Sequence, residues 1–189
     1  DLLVRDNNQA KAVVDFALHD LKGKKLGVPV YELLGGRTTD AARMGWVLSA
    51  GTPDKVAAEA QVAKSKGFEL LKMKVGAGTL AEDVAMVHAV RETVGRDVRL
   101  TVDANGFWSY ETALQTIRKI DSAELELIEQ PLPHWDIEGL ARLRQQVRTP
   151  IYADESAQEL HHLKEIIDRR AADGLFIRRR RPAACSSRS

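Results

Sequence analysis

The spacing of apolar residues changes once along the chain, near Gly36. Before that point, apolar side chains recur at helical spacing between Asp6 and Leu26. A second short helical segment follows, with Pro29 at its start and the glycine pair ending at Gly36 as its stop. After Gly36, short strand-like runs alternate with longer amphipathic ones. The pattern therefore predicts a helical, strand-free opening followed by a domain of a different kind.

Strand-like and helical runs alternate strictly in that second part. The predicted strands cover residues 44–50, 69–75, 99–105, 125–131, 150–156 and 174–178, and the predicted helices cover residues 53–67, 81–95, 109–121, 136–147 and 157–170. Strict alternation is typical of a parallel sheet with helical crossovers. A doubly wound sheet and a (β/α) barrel both agree with it. No G-x-G-x-x-G or P-loop follows the first strand, which removes the usual nucleotide-binding interpretation.

Charged and polar residues stand at the carboxyl ends of four consecutive predicted strands. In chain order they are Lys72 and Lys74, Asp103 and Asn105, Glu129, and Asp154 and Glu155. The separations from 74 to 103, 103 to 129 and 129 to 154 are 29, 26 and 25 residues, which is one βα unit each. Because side chains alternate along a strand, Lys72 and Lys74 share one face, as do Asp103 and Asn105.

Three carboxylates on three successive strands are costly to bury unless they pair or bind an ion. They converge only if the sheet curves, as a barrel does. An all-oxygen site of this kind suits a hard cation, Mg²⁺ before Mn²⁺. Salt bridges between strand-end lysines and neighbouring acids are the simpler alternative. That alternative explains single residues better than it explains their shared position.

Four motifs together carry a family resemblance. KMKVG (72–76), VDANGFW (102–108), IEQPLP (128–133) and ADES (153–156), preceded by residues 17–36, resemble the enolase superfamily. Within it, the chain is similar to the mandelate racemase/muconate-lactonizing enzyme family, in the subgroup of muconate cycloisomerases, dipeptide epimerases, N-acylamino-acid racemases and o-succinylbenzoate synthases. The resemblance covers roughly residues 6 to 178.

The resemblance implies an α/β fold, a modified (β/α) barrel with a separate α+β capping domain. Residues 1–40 then correspond to the last helix of the cap and its link into the barrel. Residues 41–178 correspond to a partial barrel of about six of eight strands. We expect residues 179–189 to be an aberrant basic tail without order.

The resemblance also assigns roles to the strand-end residues. Asp103, Glu129 and Asp154 correspond to the three Mg²⁺ ligands. Lys74 corresponds to the acid/base that removes a proton α to the substrate carboxylate, and Lys72 to its electrostatic neighbour. Asn105 and Glu155 are expected to support this set from beside it.

These residue types suit that chemistry. Loss of a proton α to a carboxylate leaves a dianionic enolate, which must be stabilised electrostatically, and a metal ion on the carboxylate does this. A lysine serves as the base only if its pKa falls toward neutrality. A second ammonium group and a divalent cation nearby both act in that direction.

The last fourteen residues, FIRRRRPAACSSRS, depart from the family pattern. Arg178 stands where the family has a lysine on the opposite side of the substrate from Lys74, and the glycine pair that should follow is missing. Arginine stays protonated and cannot act as a base. Two-base racemisation would therefore lose one partner, whereas a one-base cycloisomerisation or dehydration would not.

The tail also suggests out-of-frame translation. Deleting one base from plausible codons for Ile-Lys-Ala-Ala-Lys-Ala-Gly-Gly-Leu-Leu-Lys-Ser reproduces residues 177–188. The competing hypothesis is a basic patch for nucleic acid or acidic lipid, which the lack of interleaved aromatic residues disfavours. We expect a chain that is truncated relative to its family and poorly active.

Composition narrows the remaining classes. A formal net charge of +1 gives no overall attraction to nucleic acid or membranes. The single cysteine excludes an intramolecular disulfide and fits the cytosol. We expect a cytoplasmic isomerase, most simply a muconate-type cycloisomerase, acting on a small-molecule carboxylate without nucleic-acid or membrane partners, with homo-oligomeric full-length relatives. Amino-acid or dipeptide racemase/epimerase and o-succinylbenzoate synthase are the alternatives, and a non-catalytic fragment is the alternative of another class.

Overall fold

A computed structural model of the chain describes residues 8–42, 44–158 and 160–176. The chain divides into two compact units, with residues 44–177 forming the second. In the first unit, helix α1 (Asn8–Leu26) is followed by the short helix α2 (Val30–Leu33). Pro29 precedes α2, and Gly35 and Gly36 follow it with φ of 102° and 101°. The predicted helical opening is confirmed.

The second unit alternates strands and helices as the sequence pattern predicted. Its strands are β1 (Trp46–Val47), β2 (Leu70–Lys74), β3 (Arg99–Asp103), β4 (Leu127–Glu129), β5 (Ile151–Ala153) and β6 (Gly174–Leu175). Its helices are α3 (Pro53–Ser65), α4 (Leu80–Val94), α5 (Tyr110–Ile120), α6 (Ile137–Gln146) and α7 (Leu160–Arg169), with a 3₁₀ turn at Asp121–Ala123.

The order of the strands decides between the two architectures that the sequence left open. The six strands are hydrogen-bonded in chain order, β1-β2-β3-β4-β5-β6, and every pair is parallel. A doubly wound sheet reverses its strand order at a switch point, whereas a (β/α) barrel does not. The unit therefore has the order of a (β/α) barrel, with six strands among the described residues.

Alternate strand residues face the helices and form the core. Leu71 and Met73 of β2 and Leu100 and Val102 of β3 are fully buried in one cluster with residues of α4 such as Val87. Burying each such side chain contributes about 1.5–3 kcal/mol relative to leaving it exposed. The intervening residues, among them Lys72, Lys74 and Asp103, therefore point to the opposite face of the sheet.

Local signals fix where the helices begin. Thr79 and Glu82 form a reciprocal capping box at the start of α4. Ser109 caps α5, accepting a hydrogen bond from the Thr112 amide. Thr52 holds the N-cap position of α3 but makes no side-chain cap, and Pro53 opens that helix instead. The loop before each of these helices follows the carboxyl end of a strand, so these loops lie at the carboxyl edge of the sheet.

Candidate active site

The carboxyl ends of β2, β3 and β4 bring the predicted polar residues side by side. Lys74 is in register with Asp103, and Asp103 is in register with Glu129. The Nζ atom of Lys74 lies 2.6 Å from Oδ2 of Asp103. Because the strands are parallel, their carboxyl ends meet at one edge of the sheet. Residues that are one βα unit apart in the sequence therefore lie side by side on neighbouring strands.

Lys72 reaches past β3 to a carboxylate two strands away. Its ammonium group forms an ion pair with Oε2 of Glu129 and lies 4.3 Å from the centre of the Phe176 ring, just after β6. A side chain of β2 meets a residue that follows β6 only if the sheet curves back on itself. Sheet curvature, predicted from the three carboxylates, is therefore present.

Asn105 links the lysine end of the site to the loop after β5. Its side-chain oxygen accepts a hydrogen bond from Lys74 Nζ at 2.7 Å, and its Nδ2 donates to Oε1 of Glu155 at 2.9 Å. Its backbone amide donates to Oδ1 of Asp103 at 2.9 Å. Asn105 has a φ of 45°, which turns the chain sharply after β3. Both residues expected to support the site thus lie directly beside it.

The three predicted metal ligands are buried acids. The exposed fractions are 1% for Asp103, 1% for Glu129 and 4% for Asp154. Burial raises the pKa of Glu129; the neighbouring carboxylate of Asp103 raises it further, whereas Lys72 lowers it. These buried negative charges require positive charges nearby, and Lys72 and Lys74 supply part of that positive charge.

The donor atoms fit a hard divalent cation in kind, since all three acids offer only carboxylate oxygens. Among the residues that the structure describes, no three His, Cys, Asp or Glu side chains gather closely enough to hold a metal ion. Instead, Asp103 forms an ion pair with Lys74, and Glu129 forms one with Lys72. The assignment of the three ligands stays a prediction.

Gln130 is a site residue that sequence reasoning missed. It is fully buried between the ends of β4 and β5. Its side-chain oxygen accepts hydrogen bonds from the backbone amides of Asp154 and Ser156, both at 3.0 Å. Its position beside Glu129 in the quoted IEQPLP motif was the available signal, but the motif does not say what the side chain touches.

A buried acid on α4, Asp83, joins the loops that follow β2 and β3. Its carboxylate accepts hydrogen bonds from the Gly76 amide and from Nε1 of Trp108, at 3.0 Å each. Gly76 has a φ of 92°, and a Cβ there would lie 3.0 Å from Cβ of Phe107. Asp83 looks in the sequence like an ordinary acid in the first turn of a helix, so nothing local distinguishes it.

One predicted site residue lies outside the described part of the chain. Arg178, expected in place of a family lysine, follows the last described residue, Phe176, by two positions. The predicted basic tail at 179–189 is outside it as well. No helix among the described residues is both long and apolar enough to span a membrane.

The family assignment follows from comparison of the whole chain with known families. Residues 55–178 match the enolase C-terminal domain-like family, and residues 2–35 match the N-terminal domain of the mandelate racemase/muconate lactonizing enzymes. The chain belongs to the mandelate racemase/muconate lactonizing enzyme family of the enolase superfamily.

Individual relatives agree with this assignment. A mandelate racemase/muconate lactonizing family protein from Azoarcus sp. EbN1 has a crystal structure with a TM-score of 0.88 and 59% identity, over 93% of this chain and 46% of that one. A dipeptide epimerase from Cytophaga hutchinsonii, in complex with Mg and the dipeptide D-Ala-L-Val, gives a TM-score of 0.86 and 33% identity over 93% and 47%.

Muconate cycloisomerase 1 of Pseudomonas putida is 35% identical over 175 residues, which are 92% of this chain and 46% of the relative. The chain thus spans about half the length of the relatives it matches. The dipeptide epimerase and the muconate cycloisomerase are similar to the chain to nearly the same degree, at 33% and 35% identity. Sequence similarity therefore shows the family and does not decide between the reactions of its members.

Proposed function

We propose that the function of the protein is the Mg²⁺-dependent removal of a proton α to a carboxylate, with Lys74 as the base. The observation that carries this proposal is the contact between Lys74 and Asp103 at the rim of three buried acids. A lysine held against acids at the carboxyl ends of barrel strands lies where enzymes of this fold bind their substrates.

The side chain of Lys74 is well placed to meet a substrate. It is 39% exposed, whereas that of Asp103 is 1% exposed, so the amine is accessible to solvent and the carboxylate beneath it is not. Asp103 and Asn105 fix its Nζ atom from two sides. A fixed, accessible amine can accept a proton from a carbon atom that the site presents to it.

Asp103, Glu129 and Asp154 would hold the Mg²⁺ ion, with Mn²⁺ as the second choice; when bound, the ion supplies positive charge to the substrate carboxylate as the enolate forms. The remaining work belongs to the chain itself. Lys72 adds a second positive charge on the same face of β2 as Lys74 and forms an ion pair with Glu129. Asn105 and Glu155 keep the two ends of the site at a fixed separation.

Within this class we propose muconate-type cycloisomerisation. Arg178 is the supporting observation, because an arginine at that sequence position cannot serve as the second acid/base, which in a two-base epimerisation exchanges a proton with the opposite face of the α-carbon. Epimerisation of amino acids or dipeptides is the second candidate, supported by the similarity to the Cytophaga enzyme. A chain without catalysis is the alternative of another class.

Deuterium exchange tests the removal of an α-proton with one substrate from each candidate reaction. The 189-residue chain is incubated in D₂O with Mg²⁺ and, separately, muconolactone, an L-alanyl dipeptide or an N-succinylamino acid, and the α-proton signal is followed by NMR. We expect at most slow loss of the signal with Mg²⁺, and no loss of the signal with EDTA or in Lys74→Arg.

The pattern across substrates separates the candidates. Exchange of muconolactone alone supports cycloisomerisation, whereas exchange of the dipeptide with inversion supports epimerisation. Exchange that persists in Lys74→Arg overturns the role of Lys74. Absence of exchange with every substrate in a folded chain that binds Mg²⁺ supports the non-catalytic alternative.

A further inference from the structure

We propose that Gln130 is a positioning residue that locks the ends of β3, β4 and β5 together and thereby sets the spacing of Asp103, Glu129 and Asp154. The inference rests on the proposed function only for the identity of the cation. The locking itself concerns contacts within the described chain.

The side chain of Gln130 joins β4 to the loop after β5 through both ends of its amide. The oxygen accepts hydrogen bonds from the Asp154 and Ser156 amides. The nitrogen donates to the Leu132 carbonyl and to Oγ of Ser156, at 2.8 Å each. Ser156 passes the connection on by donating to the His134 carbonyl at 2.9 Å.

These partners fix the orientation of the amide and its chemistry. Two backbone N–H groups require an acceptor, and the Leu132 carbonyl requires a donor, so the oxygen and nitrogen cannot exchange places. All four hydrogen bonds that a primary amide makes are formed in a fully buried location. A network satisfied to this degree is rigid, and a side chain without polar atoms would leave the two amides unpaired.

The backbone of Gln130 connects β4 to the segment that follows β3 and to β5. Its carbonyl accepts a hydrogen bond from the Gly106 amide at 2.7 Å, and its amide donates to the Tyr152 carbonyl at 2.8 Å. Gly106 directly follows Asn105, which in turn holds Asp103. Gln130 has a φ of 37°, a left-handed conformation that turns the chain out of β4. One residue therefore contacts the segments after β3 and β5 as well as its own.

This arrangement gives Gln130 control over metal affinity without contact to the metal. Glu129 precedes it in the chain, and the amide of Asp154 is bound to its side chain. If the lock is lost, the three acids keep their chemistry but their strand ends are free to separate, so that gathering them around a cation costs more. Partners that orient metal ligands typically change affinity by about 10–100-fold when they are removed.

Two measurements on Gln130→Met test the proposal, because methionine keeps the length of the side chain and removes its hydrogen bonds. Calorimetric titration with Mg²⁺ is expected to show affinity reduced by about 10–100-fold. Amide hydrogen exchange, measured without metal, is expected to accelerate at Asp154, Ser156 and Gly106 while core amides such as Leu100 stay protected. Gln145→Met, on the exposed surface of α6, is the matched control and should change neither quantity.

Ser156→Ala provides a second variant. It removes the hydrogen bond from the Gln130 amide nitrogen to Ser156 and the one from Ser156 to the His134 carbonyl, and it leaves the two bonds at the Gln130 oxygen. We expect a smaller loss of Mg²⁺ affinity, about 2–10-fold, because the bonds from the Asp154 and Ser156 amides to the Gln130 oxygen remain. If Gln130→Met does not fold, Ser156→Ala decides: wild-type affinity together with wild-type exchange at Asp154 overturns the proposal.

The outcomes separate the two ideas. Unchanged exchange and unchanged affinity in Gln130→Met overturn the locking role, as does faster exchange with unchanged affinity, which would leave Gln130 a structural residue only. A wild-type chain that binds no Mg²⁺ overturns the metal part of the proposed function. In that case the exchange pattern alone still accepts or rejects Gln130 as the lock between strand ends.

Discussion

Lys74 and Asp103 face each other in register on neighbouring parallel strands, with 2.6 Å between Nζ and Oδ2. The hydrogen-bonded ladder between β2 and β3 therefore sets the distance between the two backbones, and the side chains need no chance encounter to meet. A slip of one residue would turn Lys74 to the helix-facing side of the sheet. The buried residues Met73 and Val102 prevent that slip, because it would expose them.

Replacing Lys74 by arginine is expected to abolish proton transfer while preserving the fold. Arginine keeps a positive charge beside Asp103 but stays protonated, so it cannot act as a base. We expect a decrease of about 10²–10⁴-fold in the rate of α-proton exchange. Thermal unfolding should change little. A variant that keeps more than a tenth of the wild-type rate would show that another group is the base.

Asp83→Ala should destabilise the protein through the loops after β2 and β3. The substitution leaves the Gly76 amide and the Trp108 indole without their acceptor in a buried location. A cost of about 1–3 kcal/mol in the free energy of unfolding is expected, measured with urea. Asp83→Asn retains one acceptor oxygen and should lie between the wild type and Asp83→Ala. Equal stability of Asp83→Ala and the wild type would contradict this role.

Gly76→Ala should cost more than Gly67→Ala, although both glycines have a positive φ. Gly67 has a φ of 85°, and a Cβ there would have no neighbour within 4 Å, whereas a Cβ on Gly76 would lie 3.2 Å from the Ala104 carbonyl oxygen. The left-handed conformation alone costs about 1–2 kcal/mol for an L-residue. Urea unfolding of the two variants therefore separates backbone strain from the clash. Equal losses would mean that the loop relaxes around the new methyl group.

Glu59 gives a prediction for the pH dependence of stability. Its carboxylate accepts hydrogen bonds from Nε1 of Trp46 at 2.8 Å and from the Ser49 amide at 2.9 Å, and the bond from Trp46 is the main reason that its pKa is lowered. A carboxyl group with a lowered pKa in the folded state stabilises above its unfolded pKa. That contribution is lost as the pH falls through the folded value.

Glu59→Gln should therefore lower the melting temperature near neutral pH, with a difference that shrinks as the solution is acidified through that window. Trp46→Phe removes the main donor and should reduce the acid dependence in the same direction. Melting curves collected across the acid range by circular dichroism provide the measurement. Parallel pH profiles for the wild type and Glu59→Gln would reject the assignment.

Much of the fold was predictable because periodicity is a local property. The helical opening, the six strands and the five helices of the second unit all lie where the apolar pattern placed them. Strands β3 and β4 end earlier than predicted, at Asp103 and Glu129, and a residue with an unusual backbone conformation follows each. Asn105 and Gln130 adopt left-handed conformations, with φ of 45° and 37°, and such residues cannot continue a ladder. The pattern of apolar and polar residues does not reveal that conformation.

The site residues divide along the same line. Residues that repeat at each strand end, such as Lys74 and Asp103, were visible in the sequence because the βα unit repeats. Gln130 and Asp83 were missed because their importance lies in partners distant in the chain, 24 residues away for the bond from the Asp154 amide to Gln130 and 25 for that from Trp108 to Asp83. Neither residue type nor spacing identifies such partners.

The sequence by itself determined the elements of this protein, their alternation and the acids and lysines at the strand ends, because these depend on side-chain periodicity and on residue type. The tertiary structure alone decided which charges meet. Lys72 pairs with Glu129, two strands away, and its ammonium group lies over Phe176, which follows β6. Those contacts exist because parallel strands in chain order curve around a common interior, and that curvature is a property of the packed sheet as a whole.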